Sequence, residues 1–224
     1  MLRQLVDRAR LAKYVERIVV ATTDGPEDDA MERYAEEIGI GCFRGSADDV
    51  LGRITLAVQQ EPSDLVIDLL GDNPLIHSGL IDAVVDHYLE NDTDYAVNVT
   101  TEYPHAPDDT CMFPIGIRVQ VFPPWVIEKC EELATTAYYR EHSTNYIADH
   151  PEIFRLAYLE ATGRWAELHR PDLTFAVNFR ENLELCERML NSCGGDASEV
   201  DLISLMRAYD NDENLKPLMG PQNK

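Results

Sequence analysis

Two apolar runs constrain this chain more than any other feature. Ile18-Val19-Val20-Ala21-Thr22-Thr23 and Leu65-Val66-Ile67-Asp68-Leu69-Leu70 have strand length and no apolar–polar alternation. That is the pattern of strands covered on both faces, hence parallel and central in a sheet. Each leads into a helical pattern. After the first, Asp24-Gly25-Pro26 marks a turn, with Pro26 suited to a first helical position. Ala30, Met31, Tyr34, Ala35 and Ile38 then form an apolar stripe that Gly39 closes. After the second, Gly71-Asp72-Asn73-Pro74 stops the strand, Ser78 offers a cap, and Leu80, Ile81, Val84, Val85 and Tyr88 make the next stripe. A helix over 2–16 precedes them, with Leu2, Leu5, Val6, Ala9 and Ala12 inward. A short strand over 40–45 and a helix from Ser46 to about Gln59 lie between. Ser46 and Asp49 read as a capping pair for that helix. Strand–helix alternation at this spacing predicts an α/β fold, layered, with a mostly parallel sheet.

After residue 92 the rhythm changes. Strands are expected over 95–100, over 113–122 with an interruption at Gly116, and over 173–177. A Pro- and Asp-rich loop should run to about Cys111. Helices are expected over 125–137, 140–149, around Leu183–Leu190, and over 198–209. A length of 224 residues, against about 150 per domain, fits one domain over 1–210. The polar segment 211–224 reads as a loose tail.

Composition narrows the function classes. At 45% hydrophobic residues the chain has material for a full core. Its 19 Lys and Arg against 41 Asp and Glu give a net charge of −22, which repels phosphate backbones and argues against nucleic-acid binding. Solubility or a salt-rich habitat explains such acidity, and a divalent cation still lets it bind a nucleotide. No apolar run spans a membrane and no secretory signal opens the chain, so the cytoplasm is the expected location. The five cysteines include no C-x-x-C pair, which argues against a zinc site or a disulfide framework.

Ligands of open parallel sheets bind at the strands' carboxyl ends. Thr22-Thr23-Asp24, Arg44-Gly45-Ser46 and Gly71-Asp72-Asn73-Pro74 stand there. Asp72, directly after a buried strand, suits a hard cation such as Mg²⁺, and equally a turn aspartate bonding its own backbone. Arg44 and Arg53 could face a base or a phosphate, or pair with the abundant acids. Asp92-Thr93-Asp94 and Asp210-Asn211-Asp212 read as solvated turns. Arg140-Glu141-His142 places base, acid and imidazole together at a helix, where a surface or interface role is equally open. There is no Walker A motif, nucleophile elbow or zincin motif.

Several motifs, in order and spacing, resemble the cytidylyltransferases of the spore-coat polysaccharide and acylneuraminate type. They are Ile18–Asp24, Phe43–Arg53, Gly71–Ile76, Phe113-Pro114-Ile115-Gly116, Arg140–His142 and Val177–Leu183. The resemblance runs from about residue 2 to 190. It implies a nucleotide-diphospho-sugar transferase fold, Rossmann-like, and transfer of CMP from CTP to a sugar acid or related sugar, with Mg²⁺ and release of pyrophosphate, for surface polysaccharide synthesis. It places Asp72 on the metal, and Thr22, Thr23, Asp24, Arg44, Ser46 and Arg53 around the nucleotide. Pro114, Gly116, Arg140, Glu141 and His142 fall near the sugar or a homodimer contact. The stretch 112–147, with Phe113, Phe122, Trp125, Tyr138, Tyr139 and Tyr146, is the expected dimer face, the alternative being this chain's own core.

The departures from the family pattern are informative. Arg118 and Gln120 stand where acids are usual, Thr174 where an Arg is frequent, and Asn178 where a second metal-binding Asp is usual. An amide oxygen can coordinate Mg²⁺ but brings no charge. The family's opening strand and its basic phosphate loop have no counterpart before the first helix here. In the implied fold that strand lies between Ile18–Thr23 and Leu65–Leu70. The expectation is therefore either direct pairing of these two strands or an open slot, filled by another segment such as the tail, with marginal stability for the 224-residue form. Three readings follow: a CTP-dependent sugar nucleotidyltransferase, a catalytically inactive relative acting as a binding or scaffold subunit, and another transferase on this fold.

Overall fold

The computed structural model describes residues 1–102 and 109–220. Most of the Pro- and Asp-rich loop before Cys111, and the last four residues, lie outside that range. The chain runs α1 (Leu2–Ala9), β1 (Val19–Thr23), α2 (Asp29–Glu37), β2 (Gly41–Gly45), α3 (Val50–Gln60), β3 (Val66–Leu69), α4 (Ser78–Glu90) and β4 (Tyr95–Asn98). It continues with β5 (Val119–Phe122), α5 (Pro124–Leu133), α6 (Ala137–Glu141), α7 (Asn145–Asp149), β6 (Leu156–Leu159), α8 (Arg180–Cys193) and α9 (Leu202–Asn211). The α/β class is as the sequence predicts. No helix among the described residues is long and apolar enough to cross a membrane.

Among the described residues the strands form two sheets, β1-β2 and β3-β5-β4-β6. β1 runs parallel to β2 and β4 parallel to β6, while β5 is antiparallel to both its neighbours. Alternate residues of β4 and β5 serve two cores, as a period of two requires. Ala96, Val119 and Val121 meet Leu80, Ile81 and Val84 of α4 and the inner faces of α8 and α9. Tyr95, Val97 and Phe122 meet Leu51 of α3, Val126 and Ile127 of α5, and Ile147.

Among the described residues no ladder joins β1 to β3, so the direct pairing of these two strands is not formed. Both strands are half-buried along their length rather than covered on both sides. Among the described residues each has a hydrogen-bonded neighbour on one flank, β2 for β1 and β5 for β3, which leaves the other edge open. Residues 211–220 form no ladder with β1 or β3. Leu215 is fully buried and Met219 is 7% exposed, packed in the core that α8 and α9 share.

Other expectations shift in detail. The run 113–122 is a strand only from Val119; before it Ile115 bridges Thr174. Gly116 makes that approach possible: its φ is +88°, and a Cβ there would collide with the backbone of Phe175 and Ala176. The helix expected over 125–137 ends at Leu133, and Thr136 caps a separate α6. The cap of α3 is Asp49, whose carboxylate accepts from the N–H of Gly52 at 2.9 Å, while Ser46 Oγ accepts from the N–H of Asp49. The cap of α4 is His77 rather than Ser78; its Nδ1 accepts from the N–H of Gly79.

Buried Arg8 ties the ends of the chain together. It is fully buried and donates to the carbonyls of Ile76 at 2.5 Å and of Ala197 and Val200 at 2.7 Å each. Burial brings its pKa down to about 10, against the opposing pull of Asp201.

Candidate active site

Three segments meet at the end of β3. The main-chain N–H of Val177 donates to the carbonyl of Asp72 at 2.8 Å, and Phe175 and Ile115 exchange main-chain hydrogen bonds with the partner segments, Phe175 N–H to Ile115 at 2.8 Å and Ile115 N–H to Leu173 at 3.1 Å. The turn bearing Asp72 is thereby fixed next to Asn178, with buried Pro114 and Gly116 behind them. Asp72 is half-buried and Asn178 exposed. The N–H groups of Asn178 and Phe179 both donate to Asn182 Oδ1.

This corner offers one carboxylate and one amide oxygen. Among the described residues there is no cluster of three or more His, Cys, Asp or Glu that would hold a metal by itself. Mg²⁺ is commonly bound by one or two carboxylates together with substrate phosphates. The donor set therefore fits Mg²⁺ arriving with a nucleotide, not a resident ion.

The residues at the ends of β1 and β2 form a second group, largely engaged within the chain. The hydroxyls of Thr22 and Thr23 donate to Asp28 at 2.7 and 2.6 Å, and those bonds hold its carboxyl below the usual range. Arg44 donates to the carbonyls of Thr23 and Gly25 and pairs with Asp29 and Glu32. Asp24 is exposed and its N–H extends the ladder to Gly45. Arg53 differs. It lies along Gly45, donates to the carbonyl of Ser46 at 2.5 Å, and has no ion pair among the described residues.

Arg140 is engaged by two carboxylates of its own chain. It pairs with Asp49 at the start of α3 and with Glu131 of α5, which raises its own pKa and lowers that of Asp49. Glu141 and His142 are exposed at the end of α6, with the His142 ring 4.9 Å from Tyr138. On the neighbouring face Tyr138 and Trp125 are 52% and 46% exposed, whereas Phe122 and Tyr146 belong to the chain's own core.

Arg118 and Gln120 form a buried polar network beneath the site. Gln120 Nε2 donates to Asp68 at 2.8 Å, and Gln120 Oε1 accepts from Tyr95 at 2.6 Å and Arg118 at 2.8 Å. Arg118 also donates to Thr144. Burial pushes the Asp68 carboxyl up and the Arg118 charge pulls it down. An acid at either position would crowd like charge against Asp68, so the pair accounts for the unusual residues there.

Sequence reasoning singled out neither Phe179 nor Arg180, which directly follow Asn178. Phe179 is 56% exposed, and Arg180, the first residue of α8, is exposed and without an ion pair among the described residues. Their signal was an aromatic–cation pair directly after a candidate ligand. A cation at that place can meet phosphate charge.

A family model described as cytidylyltransferase matches residues 1–189. The chain belongs to the cytidylyltransferase family. Proteins similar to it include an uncharacterized protein of Methanocaldococcus jannaschii, 34% identical over 160 residues, covering 71% of this chain and 61% of the relative. The chain thus spans less than two thirds of that relative's length. The spore coat polysaccharide biosynthesis protein SpsF of Bacillus subtilis is 27% identical over 208 residues, covering 90% of this chain and 81% of the relative. A solved cytidylyltransferase structure from Leptospira borgpetersenii superposes with a TM-score of 0.82 at 23% identity, covering 100% of this chain and 87% of that one. This family member shares its fold.

Proposed function

We propose that the chain transfers CMP from CTP to a sugar acid or related sugar, for surface polysaccharide synthesis. The observation that carries this reading is the fixed juxtaposition of Asp72 and Asn178 at the end of β3, through the Val177 N–H, in a cytidylyltransferase family member. The sugar hydroxyl oxygen attacks the α-phosphorus of CTP. The bond from that phosphorus to the α,β-bridging oxygen breaks, pyrophosphate leaves, and the hydroxyl proton passes to solvent. Asp72 and Asn178 would hold Mg²⁺, which when bound offsets triphosphate charge. Arg53 and Arg180, neither of them in an ion pair among the described residues, would supply further positive charge, and the close backbone packing of Gly116 on Ala176 would hold the acceptor's side of the site rigid.

A homodimer through the face of α5 and α6 goes with this reading, supported by exposed Trp125 and Tyr138. A second reading, a member that binds without turnover, is favoured by one observation: Thr22, Thr23 and Arg44 are already engaged with Asp28, Asp29 and Glu32. Pyrophosphate release from CTP and Mg²⁺ with a panel of sugar acids separates the two. Release with one acceptor supports transfer; CTP binding without release from any acceptor supports the second reading.

A further inference from the structure

Residues 190–220 lie beyond the stretch that the family model matches, yet the side chain of Asn182 links their last turn to the candidate site. Asn182, in the first turn of α8, is 4% exposed, and its amide makes four hydrogen bonds. Its Oδ1 accepts from the N–H of Asn178 at 3.2 Å and of Phe179 at 3.0 Å. Its Nδ2 donates to the carbonyls of Leu218 at 3.1 Å and Met219 at 2.8 Å. Both hydrogens and both lone pairs of the amide are used. The carbonyls belong to the end of a 3-10 turn, Lys216–Leu218. That turn is anchored independently of Asn182, by fully buried Leu215 and by Met219, whose Sδ accepts from the Tyr209 hydroxyl at 3.7 Å. On the other side, Val177 binds the carbonyl of Asp72. A hydrogen-bonded path therefore runs from the C-terminal turn through Asn182 to the candidate metal-binding turn.

We propose that Asn182 is a positioning residue through which the C-terminal turn sets Asn178 and Phe179 beside Asp72, and so sets the affinity of the site for a metal-bound nucleotide. Helix capping alone does not account for the residue. A cap needs only Oδ1, and a carboxylate serves that purpose well at a helix start. Nδ2 is what distinguishes asparagine from aspartate here, and it is committed to two carbonyls of a segment more than thirty residues away, 36 and 37 positions on. Of the four bonds, two orient the site and two refer that orientation to the turn. The nucleotide as ligand rests on the function proposed above; the coupling itself does not.

Two variants of the full chain test it. Asn182→Asp keeps the acceptor for Asn178 and Phe179 and cuts the link to Leu218 and Met219. Leu215→Ala loosens the anchor of the turn in the core it shares with α8 and α9, while leaving the Asn182 side chain itself unaltered. Main-chain hydrogen exchange without ligand reads the coupling, with the amides of α4 reporting any global loss of stability. The expected result is exchange at Asn178 and Phe179 about tenfold faster in both variants, the size of roughly one lost hydrogen bond, with α4 unchanged. CTP with Mg²⁺ should then bind about tenfold more weakly, with KM moving more than kcat. Faster exchange at 216–219 in Leu215→Ala, with Asn178 and Phe179 unmoved, overturns the proposal. Failure of the unaltered chain to bind CTP overturns the function reading instead, and the exchange result still decides the coupling.

Discussion

The Val177 N–H and the Asp72 carbonyl are 2.8 Å apart, and this bond sets the candidate chemistry. It joins the turn after β3 to the segment entering α8, which are distant in sequence, and brings the backbone of Asp72 next to the segment that carries Asn178. Asp72→Asn removes the only negative charge of that pair while keeping its size. Turnover of CTP should fall by about 10²–10³, the cost of losing a major electrostatic contribution, with the melting temperature nearly unchanged. A steady-state assay beside a thermal melt checks both halves.

The flanks of β1 and β3 make a prediction about local stability. Each strand has a ladder on one side, so among the described residues the amides that point away from it have no strand partner. Main-chain exchange should show alternating protection along both strands, fast on the open flank and slow toward β2 or β5. Uniform slow exchange would mean that the slot is closed in solution.

Arg8 should be a large single contributor to stability. Arg8→Leu leaves the carbonyls of Ile76, Ala197 and Val200 without their donor. At about 1–3 kcal/mol for each buried group left unsatisfied, denaturant unfolding should show a loss of several kcal/mol. Arg8→Lys should restore little, because an ammonium cannot reproduce the planar fork.

His77 gives the fold a pH dependence. Burial, then the charge of Arg8, lowers its pKa from the ordinary 6.5, and its Nδ1 must stay unprotonated to cap α4. Between the lowered folded value and 6.5 the unfolded chain binds more protons, so stability rises with pH through that window and is lost as pH falls through it. His77→Asn, which retains a capping side chain, should flatten that slope in melts taken from pH 5 to 8.

The fold class, the order of β1 to α4 and the turn at Asp72 were legible because they rest on local periodicity and punctuation. β6 was not: Leu156–Leu159 is a four-residue run with no turn residue directly before it, too short to separate from loop. The roles of arginines were equally hidden. Arg44 and Arg140 each look available for a ligand in sequence, and each is engaged by groups distant along the chain, 91 residues away for Arg140 and Asp49. The two half-buried strands show the same limit from the other side. Their apolar runs correctly read as strands, but burial on both flanks depends on neighbours that no local pattern reveals.

Calorimetric titration of the full chain with CTP, with and without Mg²⁺, tests the central claim most directly. The donor set of Asp72 and Asn178 predicts no binding of Mg²⁺ alone, binding of CTP in the presence of Mg²⁺, and loss of that Mg²⁺ dependence in Asp72→Asn. Tight binding of Mg²⁺ without nucleotide, or CTP binding indifferent to both Mg²⁺ and Asp72, would contradict it.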